Sequence, residues 1–406
     1  MSSERSRARF GTPSAEPGTS RVEPGAPGAG SAASRAEPGT SRVRPGTSRA
    51  QSGTSRAELG TSRARRISRR RRILLSLTVV LALIGAAGGW VVYQNSYDLR
   101  EQRVTIPGSA QPLNGVLALP EEGAAPFGLV VFVHGDGPID ATHDTFYRPI
   151  WEALARAGYA SLSWDKPGVA GAPGDWLNQT MADRTTETLD AIAWARTRSE
   201  IDPARVGLWG ASQAGWVLPA VAARDPGLRF MIAVSPAVNW LQQGRYHTIA
   251  KLTAEHAGPA RIDAAIADSE RTRKLLREGA TFEQARAAGA VTSDMTAQRW
   301  RFIQQNYTAD AAADLAAVRI PVLLTLADYD INVDVADTEA RYRQLIPAGL
   351  LRIEHYRNAT HSLVRKDIED STIKTILFAV AAPRSLFATS FLDDQRRFVQ
   401  DVDRTR

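Results

Sequence analysis

Gly210-Ala211-Ser212-Gln213-Ala214-Gly215 follows the apolar run Val206 to Trp209, which is long enough for a buried strand and is introduced by the turn-forming pair Asp202-Pro203. After it, Trp216 to Ala223 reads as helix. A serine between a strand and a helix, with glycine two residues before it, is the arrangement that lifts a hydroxyl out of the backbone on a sharp turn. The usual form has glycine two residues after the serine as well. Here Ala214 takes that place and Gly215 follows, which predicts slightly tighter packing under the turn.

Working outward, strands alternate with helices. Arg103 to Ile106 and Leu113 to Leu119 read as an opening hairpin, and Phe127 to Val133 is a continuous apolar run of the kind buried on both faces. That run ends in His134-Gly135-Asp136-Gly137-Pro138. A helix from about Tyr147 to Arg156 precedes the strand Tyr159 to Trp164, which ends at Asp165-Lys166-Pro167-Gly168. Asp183 then caps a helix to about Arg198, with Leu189, Ile192 and Ala193 on its inner face. Beyond the serine, Phe230 to Val234, Ile320 to Leu326 and Leu350 to Tyr356 supply three more strands. The expected fold class is α/β, a mostly parallel eight-stranded sheet with helices on both faces. Between residues 239 and 313 the alternation stops. Ile262, Ile266 and Leu276 mark one helical face, Thr281 with Gln284 makes a capping box, and Trp300, Ile303 and Tyr307 mark another. This insertion reads as a helical cap over the site, against a peripheral elaboration away from it.

In an open parallel sheet, ligands gather at the carboxyl ends of the strands. A serine hydroxyl attacks only when a base takes its proton, and a neutral imidazole suits that task near neutral pH. His361, in Asn358-Ala359-Thr360-His361-Ser362, lies just past the last strand; His355 is the rival but falls within it. A carboxylate must hold the imidazole, and Asp328, Asp330 and Asp334 all lie in or beside the loop after Leu326. His134 with Asp136 resembles the start of a metal motif, but no HxHxDH or HExxH completes it, so the predicted metal content is none. His143, His247 and His256 read as ordinary loop or insertion histidines. Trp176 and Trp240 either line an acyl pocket or are simply packed.

From about residue 100 onward the chain resembles the α/β-hydrolase family, in particular its capped bacterial serine esterases related to prolyl-oligopeptidase-like hydrolases. The resemblance rests on HGDGP at 134 to 138, DKPG at 165 to 168, GDW at 174 to 176, IDPARVGLWGASQAG at 201 to 215, ADYDINV at 327 to 333 and NATH at 358 to 361. It implies Ser212 as nucleophile, Asp330 as acid and His361 as base. It also implies an oxyanion hole from the backbone N–H groups of Gln213 and Asp136, with Gly210, Gly215, His134, Gly135 and Gly137 supporting elbow and loop. The implied substrate is a small-molecule acyl ester, and no cofactor is implied. A peptidase, thioesterase or acyltransferase would use the same three groups, and a non-catalytic binding module is the contrasting class.

Residues 16 to 64 divide into seven heptads, from EPGTSRV to ELGTSRA, whose Pro and Gly forbid a helix, so residues 1–72 read as a disordered cationic tail. Six arginines between Arg65 and Arg72 precede the uncharged run Ile73 to Tyr93. As a helix, that run is about 31 Å long, enough to cross a bilayer. The arginines predict a cytoplasmic N-terminus and an exported domain from residue 98 to 406. The alternative is a signal sequence cleaved near Gly85-Ala86-Ala87. The chain carries +7 overall, while residues 1–72 carry +11 and leave −4 for the rest, which argues against a nucleic-acid partner. There is no cysteine, which excludes disulfides and a thiolate nucleophile. Nothing in the sequence sets an oligomeric state.

Overall fold

The computed structural model describes residues 69–405. The heptad tail up to residue 68 lies outside the described residues. The described chain divides into two units between Ala87 and Gly88.

Helix α1 (Arg69–Gln94) begins four residues before the apolar run, since arginine continues a helix readily. Its stretch Arg71–Gln94 is long and apolar enough to cross a membrane by length and composition, and it is unburied.

The larger unit holds β1 (Leu99–Ile106), β2 (Leu113–Pro120), β3 (Phe127–Val133), α2 (Arg148–Ala155), β4 (Tyr159–Trp164), α3 (Met181–Ala195), β5 (Ile201–Ala211), α4 (Leu218–Arg224) and β6 (Met231–Val234). Five helices follow: α5 (Trp240–Ala254), α6 (Pro259–Arg277), α7 (Phe282–Ala287), α8 (Ala297–Asn306) and α9 (Ala312–Ala317). Then come β7 (Val322–Tyr329), α10 (Val335–Leu345), β8 (Leu351–Thr360), α11 (Lys366–Glu369), α12 (Thr372–Ala381) and α13 (Phe391–Arg404). The eight strands form one sheet in the order β1-β2-β4-β3-β5-β6-β7-β8, antiparallel at β1, β2 and β4 and parallel from β4 onward.

The continuous apolar run of β3 has a simple cause. Leu129, Val131 and Val133 enter the core shared with α3, α4, α9 and α10, while Val130 and Phe132 enter the core shared with α2 and α13. Side chains alternate across a strand, so helices on both faces require apolar residues at every position. The order reverses at β3, which pairs with β4 on one side and β5 on the other. That reversal opens the crevice where ligands bind in such sheets.

Three local expectations are corrected. Asp202-Pro203 lies inside β5, where pairing jumps from Phe127↔Ile201 to Leu129↔Val206 and Asp202 Oδ1 accepts the Ala204 N–H at 2.9 Å. The extra residues are absorbed as an irregularity within the strand. The cap of α3 is Thr180; Asp183 is the reciprocal partner in its capping box. The buried face of α3 includes Arg184, Thr188, Ala191 and Ile192, and Ala193 is exposed.

Candidate active site

Four loops that leave the sheet at its carboxyl edge, after β3, β5, β7 and β8, carry the candidate residues. At the end of β5, Ser212 takes φ +55°, a left-handed conformation that a non-glycine residue adopts only when its surroundings enforce it. A short 3₁₀ turn, Ser212–Trp216, follows and leads into α4. The Ser212 carbonyl accepts the Ala237 N–H at 3.0 Å, tying the turn to the loop after β6. Two glycines make this approach feasible. A Cβ on Gly215 would lie 2.2 Å from the Ala237 carbonyl oxygen, and one on Gly210 would lie 2.7 Å from the Ala214 methyl. The methyl of Ala214, fully buried, thus occupies the space that Gly210 leaves, which is the tight packing expected under the turn.

Asp330 follows β7 and His361 follows β8, two neighbouring parallel strands. His361 Nδ1 lies 2.7 Å from Asp330 Oδ2. Asp330 Oδ1 accepts the N–H groups of Asn332 and Val333 at 2.8 and 2.9 Å, so both carboxylate oxygens are held. Burial opposes the imidazolium, but the charge of Asp330 and its hydrogen bond outweigh it, and the His361 pKa is raised. The other candidates turn elsewhere. Asp334 caps α10, His355 Nε2 meets Glu339 at 2.8 Å, and Asp328 stands 3.7 Å from the His355 ring. Asp330 and His361 are therefore brought together. No hydrogen bond joins Ser212 Oγ to His361 among the described residues.

The loop after β3 lies against the serine: a Cβ on Gly135 would sit 3.5 Å from Ser212 Cβ. Its carbonyls are fastened from the buried side. Lys166 Nζ donates to Gly135 O at 2.6 Å and Gly137 O at 2.9 Å, and Arg184 Nη2 donates to His134 O at 2.6 Å. Arg184 Nη1 also holds Gln213 Oε1 at 2.6 Å, and Gln213 Nε2 donates to Asp136 Oδ1 at 3.0 Å. The two residues named for the oxyanion hole are thus joined through their side chains. His134 is buried between the Trp164 carbonyl, 2.5 Å from Nε2, and the Tyr147 hydroxyl, 3.0 Å from Nδ1, and burial pushes its pKa well down. His134 and Asp136 face different partners. Among the described residues no group of three His, Asp or Glu is arranged to hold a metal ion.

The inserted helices reach this edge at two places. Arg299 of α8 donates to both carboxylate oxygens of Asp136, at 3.0 and 2.6 Å. Burial favours the neutral acid of Asp136, yet the guanidinium outweighs it and lowers the pKa. From α5, Tyr246 donates its hydroxyl to the Asp330 carbonyl at 2.7 Å, and His247 Nδ1 lies 3.0 Å from the Ile331 carbonyl. Sequence reading gave His247 no role and passed over Tyr246, Arg184 and Arg299; only Lys166 lay in a motif already noted. Trp176 carries Lys166 at 4.8 Å and Arg299 at 5.7 Å from its ring centre, and Trp240 stacks on Trp216 at 4.9 Å. His143 packs edge-on against Phe146 and Tyr147.

Comparison with known proteins yields several likenesses. An uncharacterised 31.7 kDa protein of the traX-finO intergenic region of Escherichia coli is 30% identical over 81 residues, 20% of this chain and 28% of that protein. The thiohydrolase apmlB of Arthrinium phaeospermum is 30% identical over 94 residues, 22% of this chain and 30% of that protein. The chain spans less than a third of the length of these curated relatives. Among solved structures, an esterase of Pyrobaculum calidifontis is similar with TM-score 0.47 and 17% identity, covering 83% of this chain and 99% of that one. Carboxyl esterase 2 of Tuber melanosporum gives TM-score 0.47 and 16% identity, covering 76% and 87%. The family described as serine aminopeptidase, S33, matches residues 124–368. That match takes in the loop after β3, the serine turn, Asp330 and His361, more than half of the chain, and the chain belongs to this family of α/β-hydrolases.

Proposed function

We propose that the chain cleaves carboxylic esters through an acyl-enzyme, with Ser212 as nucleophile, His361 as base and Asp330 as the acid that orients it. The observation that carries this reading is the 2.7 Å contact of His361 Nδ1 with Asp330 at the same sheet edge as a serine held at φ +55°. With Nδ1 engaged, Nε2 is the nitrogen left to take the Ser212 proton. The serine oxygen adds to the carbonyl carbon, and the N–H groups of Gln213 and Asp136 receive the negative charge that develops on the carbonyl oxygen. Donors of this kind typically contribute about 3–4 kcal/mol each. The imidazolium, stabilised by Asp330, returns the proton to the departing alcohol. Water then repeats the sequence on the acyl-enzyme and releases the acid.

Residues 239–313 serve as the cap in this proposal, a role supported by the contacts of Arg299 with Asp136 and of Tyr246 with Asp330. Residues 73–93 anchor the chain, with the arginine-rich side cytoplasmic and residues 98–406 outside. The experiment compares p-nitrophenyl esters, aminoacyl p-nitroanilides and acyl thioesters on one preparation. Ester turnover that disappears in Ser212→Ala supports the reading. Preferred hydrolysis of the anilide or thioester would replace it.

A further inference from the structure

Helix α12 has two unlike faces. Thr375, Phe378 and Ala379 turn inward, with Phe378 and Ala379 against the core shared by α2 and α13. On the other side Ile373, Ile376, Leu377 and Val380 are 79%, 56%, 58% and 50% exposed. Their spacing of three and four residues makes them one stripe along the helix. Apart from α1, these four, Tyr329 and Ile331 are the large hydrophobic side chains that the described residues leave exposed. A stripe of this kind marks a contact surface.

What covers it is indicated by the neighbouring chain. The last carbonyls of a helix have no partner within it. In α12 the Ala381 carbonyl accepts the Trp90 indole N–H at 2.7 Å, and the Val380 carbonyl accepts Asn95 Nδ2 at 2.7 Å. Arg384, just past α12, donates to the carbonyls of Gln94 and Ser96 at 2.7 Å each and grips Glu152. Residues 90–96 therefore fix the end of α12 at the level of Trp90 and Tyr93, both largely exposed. Tryptophan and tyrosine beside an apolar span settle at the lipid headgroups.

We propose that the exposed face of α12 is a second bilayer contact, lying in the membrane interface at the level of Trp90 and Tyr93. The stripe's apolar side chains would meet acyl chains. This proposal rests on the reading of residues 73–93 as an anchor, and the test separates the two.

Because the chain has no cysteine, a single introduced cysteine labels one site. Full-length Ile376→Cys, Leu377→Cys, Val80→Cys and Glu278→Cys variants, each carrying an NBD fluorophore, are reconstituted in phosphatidylcholine–phosphatidylglycerol nanodiscs with or without brominated acyl chains. Positions 376 and 377 are exposed, so labelling there does not disturb the core. The proposal expects a blue shift at 376 and 377 and loss of most of their emission in brominated lipid, with position 278 unchanged. Quenching at 80 with none at 376 and 377 overturns the α12 contact and leaves the anchor standing. Quenching at 376 and 377 without quenching at 80 supports the contact and removes the anchor. A blue shift at 376 and 377 that brominated lipid leaves intact identifies a protein partner, such as a second copy, and overturns the proposal.

Discussion

Asp136 and Arg299, distant in sequence, form a two-pronged ion pair at 3.0 and 2.6 Å that joins helix α8 to the loop after β3. Asp136 also accepts from the Gln213 side chain. One carboxylate therefore couples the inserted helices to both backbone N–H groups proposed to receive the oxyanion.

Arg299→Leu should leave Asp136 with burial unopposed by its main cation. The expected loss is about 1.5–3 kcal/mol of stability, the range for hydrogen bonds to charged groups. Asp136→Asn in the same chain should recover part of it, because the charge left behind is removed. The pair depresses the Asp136 pKa, so its contribution is present above the ordinary carboxylate range and is lost as pH falls through the lowered folded value. Urea unfolding of the four variants of the cycle at pH 7 and pH 3 measures both effects.

Ser212→Ala and His361→Ala should each lower kcat by roughly 10⁵–10⁶ if the groups act as a unit, and Asp330→Asn by about 10⁴. Fluorophosphonate labelling should vanish in the first while its circular dichroism stays unchanged. Full p-nitrophenyl acetate turnover by Ser212→Ala would end the assignment.

The base must be neutral to accept a proton, and Asp330 raises the His361 pKa. The acid limb of kcat/KM should therefore fall below an apparent pKa above the ordinary histidine value of about 6.5. In Asp330→Asn that limb should move to lower pH, since burial is then opposed by the weaker influence of Glu369. For stability the sign is opposite: the pair stabilises the fold below the unfolded histidine pKa, and that contribution is lost as pH rises through the folded value. An acid limb that stays put in Asp330→Asn would separate the carboxylate from the titrating group.

Gly210→Ala should cost about 1–3 kcal/mol through overpacking against Ala214. Adding Ala214→Gly should restore only part of it, because the Val133 carbonyl oxygen would still stand 3.0 Å from the new Cβ. Thermal melts of the two single variants and the double variant decide whether the methyl contact is the cause.

Much of this arrangement was legible in the sequence because it follows from local pattern. β3 runs over the stretch that its uninterrupted apolar run marked, as a strand buried on both faces favours, and β4 keeps its expected bounds although Ser161 and Ser163 are buried within it. Asp330 and His361 stood out as polar residues just past two expected strands. Arg184 was hidden because it sits on the inner face of α3, where pattern predicts an apolar residue, and its partners His134 and Gln213 lie on other loops. Arg299 was hidden for the same reason, as a charge that looks solvated until folding brings Asp136 to it. The helices after β8 went unread. In α13 the inward residues Phe391, Phe398, Val399 and Val402 are spread among charges, so the apolar signal is thin although its packing is complete.

Lys166, just past β4, and Arg184 of α3 hold the loop after β3 by its carbonyls, whereas Arg299 of α8 holds it by the Asp136 side chain. On the proposed assignment, the apparatus for bond cleavage and the apparatus for choosing what enters are housed in separate parts of the chain. Descent with modification in residues 239–313 can retune the clientele without rebuilding the chemistry, provided that Arg299 and Tyr246 keep their grip.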